Sequence, residues 1–196
     1  MPESQVASRK SQGKPTRILF LGPPGAGKGT QAALLADGLG VPHVSSGVML
    51  REAVAEETEL GRKADSIMAA GDLVPDDLVV AMVEERLSRD DAVSGYILDG
   101  FPRNIVQARA LEAAMGDGAI DAMLLFEVND DELVERLLGR ADEGRADDAE
   151  ATIRRRFEVY REETEPLIDA YADRVVAVSG IGSIEEVFDR VQGALT

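Results

Sequence analysis

The chain has 196 residues, 44% of them hydrophobic, which is enough for one compact domain with a sizeable core but cramped for two. Its 37 acidic residues against 21 basic ones give a formal net charge of −16, which argues against binding nucleic acid or an anionic membrane through the overall field, since both are polyanions. With no cysteine and a single histidine, His43, a disulfide framework and a Cys/His zinc site are excluded.

Residues 1–16 contain Ser, Gln, Lys, Gly and Pro with almost no large apolar side chain. They cannot bury enough surface to offset the entropy of ordering, so a disordered tail is expected, with a weakly patterned targeting peptide as the alternative. Residues 17–196 are expected to form a single domain. No apolar run reaches the roughly 18 to 20 residues of a membrane span, and the N-terminus lacks the apolar stretch of a secretory signal, so a soluble, cytoplasmic protein is expected.

Arg17–Leu21 is a short apolar run that ends at Gly22; a glycine loop follows, then Thr30 to Leu39 at helical spacing. Similar runs at Tyr96–Leu98, Met123–Val128 and Arg174–Val178 are each followed by amphipathic stretches. Strands that alternate with helices predict an α/β fold with a parallel sheet covered on both faces. Two regions break the alternation. Between residues 46 and 88 three helical segments are predicted, Gly47–Ala55, Leu60–Ala70 and Asp76–Arg89, parted by turn signals at Glu56–Glu59 and Gly71–Pro75. The second break is a polar loop, Gly139–Asp148, between a predicted helix at Asp130–Leu138 and a long one from about Ala149 to Ala172. His43 has no partner pattern that suggests proton transfer and is expected to be a structural loop residue. Acidic pairs such as Glu84-Glu85 and Glu162-Glu163 fit solvated helix faces.

The chemistry begins at Gly22-Pro23-Pro24-Gly25-Ala26-Gly27-Lys28-Gly29-Thr30. Glycines let successive backbone N–H groups point at one anion, the lysine reaches the outer phosphates, and the helix that follows adds its positive end. This spacing directly after an apolar strand is a phosphate-binding loop. Asp99 ends another apolar run, at the carboxyl edge of the sheet, where a carboxylate can meet Mg²⁺ through water; a plain strand-end cap is the alternative. Gly100 allows close backbone approach, and Arg103 supplies a planar fork suited to a phosphate.

Taken together, Gly22–Gln31, Ser45-Ser46-Gly47 with Arg51, Asp99-Gly100-Phe101-Pro102-Arg103 with Gln107, and Gly144-Arg145-Ala146-Asp147-Asp148 with Arg156 resemble the adenylate kinase family. The resemblance runs from about Arg17 to the C-terminus, in order and with family-like spacing. It implies a P-loop three-layer fold: a five-stranded parallel sheet, a helical AMP-binding insertion at residues 45–74 and a lid. It also implies reversible, magnesium-dependent transfer from ATP to AMP, giving two ADP.

By the same resemblance, Gly25, Ala26, Gly27, Lys28, Gly29, Thr30 and Arg140 contact ATP. Gly182 is the expected ATP-contacting glycine near the last strand, with Gly180 close enough to compete for the register. Ser46, Arg51, Asp72, Leu73, Val74, Gly100, Phe101, Pro102, Arg103, Gln107, Arg145 and Arg156 form the AMP site. Lys28, Arg51, Arg103, Arg140, Arg145 and Arg156 carry the catalysis. On the helix bearing Arg154, Arg155 and Arg156, positions two apart diverge, so only part of the trio can face the phosphates; Arg156 is the choice, with Arg154 as an accessory. The lid, about residues 139–146, is too short for an extended form and has no cysteine for zinc. Val48 stands where many relatives carry an acidic residue, and nucleoside affinity or closure is expected to differ in consequence.

ATP, AMP and ADP are the expected partners, with neither nucleic acid nor membrane, and a monomer is expected. The alternatives are a UMP/CMP kinase, which shares the phosphate machinery and of which Asn104 has some flavour, and a nucleotide-binding regulator without turnover. Gln107 favours adenine.

Overall fold

The computed structural model describes residues 16–116, 118–141 and 150–196. The expected tail up to residue 15 and most of the lid, Arg145 included, lie outside the described residues, and Arg140 is described by its backbone alone.

Five strands form one sheet in the order β2-β3-β1-β4-β5, and every pairing is parallel. The strands are β1 (Arg17–Leu21), β2 (His43–Ser45), β3 (Tyr96–Asp99), β4 (Ala122–Glu127) and β5 (Val175–Ser179). The near-continuous apolar character of the central strands β1, β3 and β4 has a plain cause: side chains alternate between faces, and both faces are covered there, whereas β5 at the edge is largely exposed. Leu19, Leu21, Tyr96, Leu98 and Met123 point into one core, and Ile18, Phe20, Ile97, Leu124 and Phe126 into the other.

The first core is closed by α2 (Ser46–Ala55), α3 (Glu59–Ala70), α4 (Asp76–Leu87), α5 (Ile105–Met115) and α8 (Pro166–Ala170), through residues such as Leu50, Ala64, Val83, Leu111 and Leu167. The second is closed by α1 (Lys28–Leu39), α6 (Asp130–Ala141) and α9 (Ile184–Gly193), through Leu35, Leu133, Val187 and Val191. The remaining long helix, α7 (Glu150–Val159), packs on α3 and α6. This is the expected three-layer α/β fold. Among the described residues, no helix is long and apolar enough to cross a membrane.

Three expectations need correction. His43 lies in a strand, β2, which is only three residues long and so carries no readable alternation. The long helix expected up to Ala172 is broken: α7 passes into a π turn at Tyr160–Thr164, and Pro166, which has no N–H to donate, opens α8. Helix α1 starts at Lys28, two residues earlier than expected, behind Gly27 with φ of 88°. That left-handed conformation favours glycine and turns the chain from loop to helix within one residue.

Helices α2 and α3 form a tight hairpin. Thr58 caps α3, its Oγ1 accepting from the Gly61 N–H at 3.0 Å. A Cβ placed on Gly61 would lie 1.9 Å from the carbonyl oxygen of Ala53, so the two helices touch backbone to backbone. Gly61→Ala must therefore push α3 away from α2. Overpacking of this kind costs ~1 to 3 kcal/mol. In a chain of this size the thermal midpoint is expected to fall by about 2 to 12 °C, measurable by circular dichroism melting.

Candidate functional site

Because all the strands run the same way, the loops that leave β1 and β3 emerge side by side at one edge of the sheet. Strand β1 pairs with β3 on one side and β4 on the other, so the chain order changes direction around it, the place where open α/β sheets leave a crevice. The loop Gly22–Gly27 occupies that position. Lys28 Nζ donates to the carbonyl oxygens of Gly22 at 2.6 Å and Pro23 at 2.8 Å, so the lysine braces the loop it follows.

A cavity of about 440 Å³ opens over this loop, a volume within the range of small-molecule sites. Gly25, Ala26, Gly27, Lys28, Gly29 and Thr30 line it, together with Asp99, Gly100, Pro102 and Arg103. A smaller pocket of about 70 Å³ adjoins it beneath α2 and α3, lined by Ser46, Asp72, Leu73, Val74, Val79 and Gln107 among others. Arg51, Arg103 and Arg156 line both cavities. Three guanidinium groups thus stand at the junction of the two spaces. Val48 is 41% exposed and lines the larger one.

The junction is held by a small hydrogen-bond frame. The Gly100 carbonyl accepts from Ser46 Oγ at 2.6 Å and from Arg103 Nε at 2.8 Å. The Arg103 carbonyl accepts from Thr164 Oγ1 at 2.7 Å, so the π turn after α7 fastens the backbone that carries the arginine. Gln107, 1% exposed, accepts at Oε1 from the Arg103 N–H at 2.7 Å.

Asp99 is largely enclosed. Its Oδ2 lies 3.3 Å from Ser45 Oγ, which donates to it, and 3.6 Å from His43 Nε2, a distance for electrostatic contact and beyond a hydrogen bond. Burial pushes the carboxyl up. The proximity of His43, Lys28 and Arg103 outweighs that and holds it below the ordinary aspartate value, so it is ionised at neutral pH. The same oxygen would lie 3.4 Å from a Cβ on Gly29, which puts an anionic oxygen against the phosphate loop. Among the described residues no three His, Cys, Asp or Glu side chains cluster into a metal cage. A magnesium ion, which takes most of its ligands from water and substrate phosphates, fits a single such carboxylate.

Some expected residues are placed elsewhere. The ring of Phe101 is buried in the core and lines neither cavity. Gly182 faces Glu186 and Arg190 of α9; it is Gly180 whose Cβ position falls 3.1 Å from the Ala26 carbonyl of the loop. Arg154 lines neither cavity, whereas Arg156 lines both. Arg155 turns outward, its Nε donating to Asp72 Oδ1 at 2.7 Å. Gln31, part of the family-like motif, donates to the Ile184 carbonyl at 2.9 Å and so ties α1 to α9.

Sequence reasoning missed Ser45 and His43 as neighbours of Asp99, Thr164 as a support for Arg103, and Asp76, whose Oδ1 accepts from Gln107 Nε2 at 2.7 Å. Ser45 and Thr164 are buried polar residues; Ser45 sits in the Ser45-Ser46-Gly47 motif, which does not show that it meets Asp99, and no local pattern marks Thr164. Asn104, the source of the UMP/CMP flavour, caps α5: its Oδ1 accepts from the Gln107 N–H at 2.9 Å, and its Nδ2 donates to Asp76 Oδ1 at 3.0 Å.

Comparison with known proteins agrees with this geometry. A family model described as adenylate kinase matches residues 20–176. The chain is 52% identical over 181 residues to an adenylate kinase of Nocardia farcinica, covering 91% of this chain and 98% of that protein. An adenylate kinase of Mycobacterium sp. (strain MCS) shows the same identity and coverage. Adenylate kinase 1 of Nostoc sp. is 51% identical over 185 residues, covering 92% and 98%. A phosphate loop, an adjoining pocket, shared arginines and near full-length similarity lead to one assignment: the chain belongs to the adenylate kinase family.

Proposed function

We propose that the chain moves the γ-phosphoryl group of ATP to AMP and back, forming two ADP, with ATP over the Gly22–Thr30 loop and AMP in the smaller pocket. The observation that carries this reading is that Arg51, Arg103 and Arg156 line both cavities, where the transferred group would pass. The AMP-binding unit is residues 45–74, which supply most of the smaller pocket. The proposed working unit is a monomer.

In the forward direction an oxygen of the AMP phosphate attacks the γ-phosphorus, and the bond from that phosphorus to the β,γ-bridging oxygen breaks, leaving ADP on either side. The protein contributes alignment and positive charge. Lys28 takes the outer ATP phosphates. Arg51 and Arg103 place the AMP phosphate in line, with the Arg103 guanidinium aimed by its bond to the Gly100 carbonyl. Arg156 spans the two nucleotides, and by sequence position Arg140 and Arg145 complete the cage. Asp99 would hold, through water, the magnesium ion that accompanies ATP, and the ion would supply positive charge against the phosphates. Residues about 139–146 are assigned as the lid, whose task is to keep water from accepting the phosphoryl group.

The direct experiment offers Mg-ATP together with AMP, CMP, UMP or GMP and separates the diphosphate products. ADP formed from AMP in clear preference to the others is expected; dominant CDP or UDP would replace this reading with a pyrimidine kinase. Arg103→Ala and Lys28→Ala are each expected to lower kcat/KM about 100- to 1,000-fold, as for loss of one preorganised charge donor, in steady-state assays on folded protein. Chelation with EDTA is expected to stop turnover while AMP still binds, as followed by calorimetry; turnover that persists at full rate in excess chelator would remove magnesium from the scheme.

A further inference from the structure

The N-terminal ends of α4 and α5 meet beside the smaller pocket, and three side chains join them. Asp76, the first residue of α4, accepts at Oδ1 from Asn104 Nδ2 at 3.0 Å and from Gln107 Nε2 at 2.7 Å. Gln107 Oε1 accepts from the Arg103 N–H at 2.7 Å. A carboxylate can only accept and a backbone N–H can only donate, so the Gln107 amide has one permitted orientation. Turning it over would set oxygen against oxygen and N–H against N–H in a site that is 1% exposed, where unsatisfied groups are costly.

A primary amide has two N–H donors and two acceptor lone pairs, and these contacts use one of each. One donor and one acceptor remain, in a fixed order, at a residue that lines the pocket. A 6-aminopurine presents an N6–H donor next to the N1 acceptor. A 6-oxopurine presents the reverse, an O6 acceptor next to an N1–H donor. With the phosphate end of the nucleotide anchored at Arg51 and Arg103, the base cannot reverse its edge to suit the amide.

Resting on the adenylate kinase reading above, we infer that Asp76 is a positioning residue that locks the Gln107 amide and thereby selects 6-aminopurine over 6-oxopurine monophosphates. Asp76 touches no reacting atom. It acts with the Arg103 N–H: each opposes the reversed amide, and the carboxylate adds a charge-assisted bond that strengthens the directional reading of the base edge.

The test uses IMP, which differs from AMP by oxygen in place of the amino group at C6, with saturating Mg-ATP. Asp76→Asn keeps the shape and can still accept from Asn104 Nδ2, but it replaces a carboxylate by a neutral amide and so weakens one of the two bonds that fix the Gln107 orientation, the Arg103 N–H being the other. The ratio of kcat/KM for AMP to that for IMP is expected to fall at least about tenfold, chiefly through a higher KM for AMP, while the KM for ATP stays near wild type. Gln107→Leu is measured in parallel. If Gln107→Leu erases the preference and Asp76→Asn retains it, the inference about Asp76 is overturned and the base-binding role of Gln107 stands. If Gln107→Leu also retains it, Gln107 does not read the base and the inference falls with that reading. Should Asp76→Asn not fold, side-chain amide NMR of the wild type decides: the Gln107 signals, identified by their loss in Gln107→Leu, are expected to show slow solvent exchange in the absence of AMP, and rapid exchange of both protons overturns the lock.

Discussion

Everything in this molecule depends on five strands running in one direction. A parallel sheet needs a crossover after each strand and cover on both faces, so the chain spends its apolar residues on two cores and delivers all the strand ends to one edge. Strand β1 occupies the middle of that edge. The phosphate loop that leaves it and the Asp99–Arg103 segment that leaves β3 become neighbours because β1 and β3 pair in register, Phe20 beside Asp99. A lysine from one loop and a carboxylate and an arginine fork from the other are thereby set around one crevice.

That crevice reconciles an acidic protein with anionic substrates. A net charge of −16 repels phosphate at long range, but screening limits the effect to about 8 to 10 Å at ordinary salt, and the short-range field belongs to the groups at the junction. Lys28, Arg51, Arg103 and Arg156 converge there, while acidic side chains such as Glu59 and Asp91 lie outside, paired with surface cations. Asp99 is the exception, an anion inside the cluster. The surrounding cations keep it ionised despite its burial, and this suits it to hold a divalent cation through water.

The site is also prepared for its ligands by bonds it makes within itself. Gly100 offers one carbonyl to both Ser46 and Arg103, Thr164 holds the Arg103 carbonyl from a separate element, and Gln107 is bound on both sides of its amide. Each bond removes a freedom that binding would otherwise have to remove, and this makes charge placement effective in transfer chemistry. The π turn at Tyr160–Thr164 has a place in this frame. It interrupts a helix at the point where Thr164 must reach Arg103.

What the sequence determined by itself is whatever lies within one turn or one strand of itself. The Gly22–Thr30 loop was legible because the chemistry of a phosphate cradle needs closely spaced glycines before a lysine, and four of the five strands showed as apolar runs. Arg51 and Gln107 were unremarkable as helix residues until the whole ordered set of motifs resembled one family. Tertiary structure decided the rest, because the partners are distant in the chain. Asp76 meets Gln107 across separate helices, Arg155 of α7 meets Asp72 in the loop after α3, and His43 faces Asp99 only because a strand of three residues pairs with β3. Placement followed from it too: Gly180 lies at the loop and Gly182 against α9, and Arg156 lines both cavities and Arg154 neither, since two residues along a turn or a helix change the direction a position faces. Direction in space is the sum of many backbone angles, and no local pattern records that sum.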